Sequence, residues 1–192
     1  MSIIRYSAAI VLLSVPALAQ TNGTYLLRSS NPVSPSSPTT RIEFWATWTD
    51  PGGELQFALG NYDLTASEGV FSNPVNVALG PGSSTGVIAG NTISGATNGQ
   101  IIPPFPPKFG IVNPVLLATY DWTTSDFTAR TVDFHTSNTS TFMLGDWRTG
   151  GFTELYPHEF TPGSGVINVV PAPTAWVVLA LPLVAAARRR RC

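Results

Sequence analysis

The chain has 192 residues, 10 lysines and arginines against 11 aspartates and glutamates, a net charge of −1, and one cysteine, Cys192, at its very end. A lone cysteine excludes an intramolecular disulfide and a cysteine-built zinc site, and its place excludes a prenylation box, which needs the cysteine four from the end. Half of the basic residues stand at the two ends (Arg5 and Arg188 to Arg191), so the body between them keeps 5 against 11 acids, about −6, and lacks the basic patch that nucleic acid requires.

In chain order, the first element is a basic start, Met1 to Arg5, followed by an apolar run from Ala8 to Val15 and then Ala17-Leu18-Ala19. This is the pattern of a signal peptide over residues 1–19, with signal peptidase cutting between Ala19 and Gln20. Pro16 ends the run, and Gly, Ser, Thr and Pro follow, which no helix of a folded domain would tolerate. The chain is therefore expected to be exported across the inner membrane. Residues 20–40 form a polar, Pro/Ser-rich lead; its Ser29 to Thr40 stretch has too little apolar matter to build a core and is predicted to be extended.

From 41 to 168 the periodicity is that of strands. Ile42, Phe44, Ala46 and Trp48 alternate with Arg41, Glu43, Trp45 and Thr47. Leu55, Phe57 and Leu59 alternate, and Tyr62 with Leu64 continues past a predicted bulge or bend at Gly60-Asn61. Further strands are predicted around Val75 to Leu79, Val87 to Ile93, Val115 to Trp122, Thr128 to His135, Thr141 to Leu144, Phe152 to Tyr156 and Val166 to Val170. Turn chemistry separates them at Asp50-Pro51-Gly52-Gly53, Gly80-Pro81-Gly82, Thr97-Asn98-Gly99, Thr149-Gly150-Gly151 and Pro162-Gly163. Glycine and proline, 17 each, are scattered too evenly to leave room for a capped helix. The fold class that follows is all-β: a single β-sandwich or jelly-roll-like domain of about nine strands. Ile101 to Gly110, with its four prolines, reads as a polyproline-like loop on the surface or over a sheet edge, or as a docking ligand for an aromatic groove.

Catalytic chemistry is sparse. His135 and His158 are isolated in sequence, His135 on the charged side of its strand with Asp133, and neither has a local metal-ligand partner. The acids supply carboxylates for a glycosidase pair but no motif couples two of them. Asp121, Ser125 and Asp126 are spaced oxygen donors for Ca²⁺, without the 12-residue calcium-loop pattern; no other cofactor or metal is expected. Tryptophans in a small sandwich belong chiefly to its core or seal its ends. If one serves as a stacking platform for sugar, Trp45, on the polar face of its strand, and Trp147, in a turn after Gly145-Asp146, are the candidates.

The tail, residues 169–192, carries three features in fixed order. Val170-Pro171-Ala172-Pro173 is a stiff extended motif, and residues 174–187 are an apolar run. Arg188, Arg189, Arg190 and Arg191 then form a basic cluster that stays on the cytoplasmic side. The run is shorter than the roughly 20 residues of a comfortable membrane helix and contains Pro182. That suits a transient processing signal, with a permanent tether as the rival reading. This tail resembles the PEP-CTERM protein-sorting signal, from which it departs at Ala172, where the family most often has Glu. The resemblance implies recognition by an exosortase, a membrane protease-transpeptidase, through a membrane-tethered intermediate, and release or attachment at the outer surface or in the extracellular matrix. The expected role is thus a non-catalytic surface or matrix protein associated with exopolysaccharide or biofilm. The alternatives are a carbohydrate-binding module and a secreted hydrolase using paired carboxylates.

Overall fold

The computed structural model describes residues 21–30, 32–77, 80, 82–99, 113–146, 149–156 and 158–171. Among them there are strands and turns and no helix, so the all-β expectation holds. The strands are β1 (Gly23–Ser29), β2 (Thr39–Trp48), β3 (Leu55–Ala66), β4 (Val70–Asn76), β5 (Val87–Ala89), β6 (Thr92–Gly99), β7 (Val115–Thr123), β8 (Arg130–Ser137), β9 (Phe142–Asp146), β10 (Phe152–Leu155), β11 (Phe160–Thr161) and β12 (Ser164–Val169). Beyond the expected strands stand β1, β11 and the division of Val87 to Ile93 between β5 and β6, and β4 lies ahead of the strand expected at Val75 to Leu79, sharing only Val75 and Asn76 with it. All of them belong to two sheets. The first has the order β11-β1-β2-β7-β4; the second runs β10-β9-β3-β6-β5, with β8 also paired to β3 and β12 to β8.

Alternation builds the core. In β2, Ile42, Phe44, Ala46 and Trp48 are buried while Arg41, Glu43, Trp45 and Thr47 are more exposed, the period of two that places one face of a sheet against another. Rings dominate the interior. Phe44 lies 3.8 Å, centroid to centroid, from Tyr62 across the two sheets, and Tyr25 packs at 5.0 Å on both Phe44 and Phe142. Burying one such side chain stabilises the fold by roughly 1.5–3 kcal/mol, and its polar tip must still find a partner. The Tyr62 and Tyr120 hydroxyls meet at 2.7 Å, and the Tyr25 hydroxyl donates to the Thr141 carbonyl at 3.1 Å.

The sandwich starts earlier than periodicity indicates. β1 falls within the polar lead and pairs along its whole length with β2, from Gly23 opposite Trp48 to Ser29 opposite Ile42. Beyond it, Val33 is fully buried and forms a parallel bridge with Val169. One apolar side chain in a Pro/Ser stretch is invisible to a periodicity argument, yet it suffices to anchor the segment. Two turn expectations also change. Asn98 and Gly99 sit inside β6, paired with Gly60 and Leu59; the reversal that joins β5 to β6 is at Gly90-Asn91, with Gly90 at φ +62°. Ladder pairing on β3 outweighs the turn preference of an Asn-Gly pair. β3 likewise runs straight through Gly60-Asn61, and its register shifts lie at Phe57/Leu59 and Tyr62/Leu64. Glycine is needed at 60 because a Cβ there would lie 2.0 Å from the Tyr25 hydroxyl.

Strand direction fixes the polarity of the molecule. Gly163 lies against Tyr25 and Gly165 against Leu27, so β12 runs beside β1 in the same direction. The chain therefore enters the sandwich at one end and its last strand leaves at the other.

Candidate functional site

The outer face of the first sheet gathers the side chains best suited to contact a ligand. Direct pairing puts Leu26, Trp45 and Leu116 in one row across β1, β2 and β7, because residues opposite each other project from the same face. The adjacent row is Arg28, Glu43, Thr119 and Val75, and the next holds Arg41, Asp121 and Ser72. Trp45 is half-buried between its aliphatic neighbours. The Arg28 guanidinium carbon lies 5.2 Å from the centre of its ring, and the indole N–H donates to Glu43 Oε2 at 3.0 Å. Cation and carboxylate thus hold the indole in one orientation.

Arg41 pairs with Asp121 at 3.3 Å, whose other oxygen accepts from Asn73 Nδ2 at 2.9 Å. Asn73 takes a left-handed conformation, φ +46°, within the β4 irregularity between Ser72 and Val75. The face thereby gathers an indole with a guanidinium over its ring, apolar flanks, a planar fork of donors and carboxylate acceptors within one patch. Those are the groups that match the apolar C–H faces and the hydroxyls of a sugar.

The remaining candidates separate. Trp147, the cleavage pair Ala19 and Gln20, and Ala172 and Pro173 of the motif lie outside the described residues. So do all four members of the basic cluster, Arg188, Arg189, Arg190 and Arg191, together with the signal peptide over 1–19, the Ile101 to Gly110 loop and the apolar run over 174–187. Val170 and Pro171 follow β12 directly, with Val170 46% exposed. Trp48 and Trp122 are core, and the Trp122 indole donates to the Glu68 carbonyl at 2.8 Å. His135 is exposed on β8, and exposed His158 stacks on Tyr156 with ring centres 6.0 Å apart.

Of the three oxygen donors considered for calcium, the two carboxylates are engaged separately. Asp121 serves Arg41 and Asn73. Asp126 accepts from the backbone N–H and hydroxyl of Thr128, at 2.9 and 2.8 Å, and these bonds, with Arg130 nearby, hold its carboxyl below the usual range. Ser125 is exposed. Among the described residues no group of three or more His, Cys, Asp or Glu gathers. The two clefts at the seam between β1 and β12 carry no carboxylate in their walls.

Sequence reasoning found Trp45 but missed the residues that frame it. Leu26 and Arg28 stood in the lead, where the alternation of Thr24, Leu26 and Arg28 around Tyr25 and Leu27 was a readable strand pattern. Leu116 stood in a continuous apolar run, which gives no sidedness.

No family model and no curated protein matches the chain. Among solved structures it is similar to a cohesin module from a family 33 glycoside hydrolase of Clostridium perfringens, at 11% identity and a TM-score of 0.49, covering 80% of this chain and 100% of that one. It is similar also to the seventh ScaB type I cohesin from Pseudobacteroides cellulosolvens, at 14% identity and a TM-score of 0.48, covering 79% and 95%. A third likeness is to BslA, a bacterial hydrophobin, at 12% identity and a TM-score of 0.36, covering 82% and 98%.

Proposed function

We propose that the chain is an exported, non-catalytic β-sandwich of the cell surface or extracellular matrix, sorted by its PEP-CTERM-like tail and associated with exopolysaccharide or biofilm. One observation supports this above others: the folded body fits the interval between the two processing signals. β1 opens at Gly23, just past the predicted cut after Ala19, and β12 closes at Val169, immediately before the Val170 to Pro173 motif. Removal of either signal leaves every described strand in place. The test is intact-mass analysis of the surface fraction from a Gram-negative host that carries an exosortase. The expected product starts at Gln20 and lacks Arg188 to Cys192; a full C-terminus in that fraction overturns the reading. Replacing Arg188, Arg189, Arg190 and Arg191 together by alanine is expected to abolish the maturation.

A second reading, carbohydrate binding, is favoured by the position of Trp45 on the solvent face between Leu26 and Leu116, with Arg28 and Glu43 at its ring. Loss of one aromatic stacking contact and its ordered polar neighbours costs about 1–2 kcal/mol. Trp45→Ala is therefore expected to weaken polysaccharide binding by about tenfold or more in affinity electrophoresis, with the thermal midpoint little changed. Equal binding by Trp45→Ala and by Trp147→Ala would remove the platform.

A further inference from the structure

The segment between β1 and β2 is built as a fastening, and what it fastens is the beginning of the processing motif. The Val33 N–H donates to the Asn168 carbonyl at 3.1 Å, and the Val33 carbonyl accepts from the Val170 N–H at 2.7 Å. Val33 and Val169 are 0% and 3% exposed. Each end of the segment is tied to the sandwich: the Ser30 N–H donates to the Arg41 carbonyl at 3.2 Å, and the Thr124 N–H donates to the Pro38 carbonyl at 3.2 Å. In between, Ser34 and Ser37 exchange two backbone hydrogen bonds, of 3.1 and 2.9 Å, around Pro35-Ser36. The grip on the last strand is local. An open cleft of about 270 Å³ separates Ser29, Ser30 and Pro32 from Val166 to Asn168, so the segment meets β12 chiefly at Val33.

The composition of the motif makes this single grip matter. In Val170-Pro171-Ala172-Pro173 the two prolines have no N–H, leaving only Val170 and Ala172 as main-chain donors. An enzyme that takes an extended peptide reads it largely through main-chain hydrogen bonds. One of the two donors is already committed to Val33, and the residue before it is locked in the core. We propose that the Val33 bridge is a latch that withholds the start of the motif from its processing enzyme, so that maturation proceeds through local release of Val169-Val170 from Val33. This rests on the tail being a processing signal. The enzyme then acts on the open fraction, and its apparent rate is lowered by that fraction.

The test follows maturation of the full chain by pulse-chase and intact mass in the same host. Inserting Gly-Ser-Gly-Ser-Val between Val170 and Pro171 keeps the latch and the fold and rebuilds the Val-Pro step beyond it. Its half-time of maturation is expected to be at least threefold shorter than that of the natural chain, and Val33→Ala is expected to move in the same direction. If Val33→Ala fails to fold, the insertion decides. Equal half-times for the natural chain and the insertion, with maturation still abolished by the Arg188 to Arg191 replacement, overturn the latch and leave the tail reading standing. An intact C-terminus in every variant overturns both.

Discussion

At the scale of single residues, the buried phenols show how far the interior is from water. Tyr62 and Tyr120 share one hydrogen bond between hydroxyls, and Tyr25 donates to a carbonyl. Burial pushes the Tyr120 phenol up to about 12 and raises Tyr25 and Tyr62 further, with Tyr120 adding to the rise at Tyr62. In the unfolded chain these groups ionise near pH 10. The fold keeps its protons where the unfolded chain loses them, so the phenols' contribution to stability is constant below pH 10 and falls above it, by about 1.4 kcal/mol per pH unit for each of the three phenols. Denaturant unfolding measured between pH 8 and 11.5 is expected to show that break, and Tyr120→Phe to soften it. A flat profile would mean that these rings are reached by solvent. The inward position of Tyr62 was legible from its alternation with Leu64. Its pairing with Tyr120 was not, because a contact between sheets leaves no trace in either strand's own pattern.

At the scale of elements, the connections hold the information that strand periodicity does not. The turn from β3 to β4 passes Gly69 at φ +81°, where a Cβ would lie 2.4 Å from the Trp122 ring. The indole occupies the room that glycine leaves and bonds the neighbouring Glu68 carbonyl. Arg130 closes the same end by bonding Glu68 and the Asp126 and Thr128 carbonyls, the latter two at 2.9 and 2.8 Å. Gly69→Ala combines a left-handed backbone with a steric clash and is expected to cost about 2–4 kcal/mol. For a domain of this size that is a fall of roughly 5–15 °C in thermal midpoint, measurable by calorimetry. A midpoint within a degree of the natural protein's would show that the indole yields. Sequence reading placed the long alternating strands β2, β3 and β8 because each carries several periods, and β7 because its apolar run is continuous. It missed β1, which sits in polar, proline-bearing surroundings, and β11, which is two residues long. Trp45 was legible as an outward residue of β2, but the patch around it needed the neighbours that only strand order supplies.

At the scale of the whole molecule, the sandwich is a body closed by its own termini. Maturation at both ends, as proposed, trims residues that no described strand uses, and the latch at Val33 would make the second trimming answer to the state of the fold. The parallel course of β1 and β12 adds a mechanical consequence. If the protein is held at a surface as proposed, it is pulled through its ends, and the start of β1 and the end of β12 lie at opposite ends of neighbouring strands. Tension then acts along β1 and β12, across hydrogen bonds that stand perpendicular to the pull. Seven registered positions between β1 and β2, and six between β12 and β8, would have to slide together rather than open one after another. The first elements to bear such a load are thus the two that border the proposed processing signals.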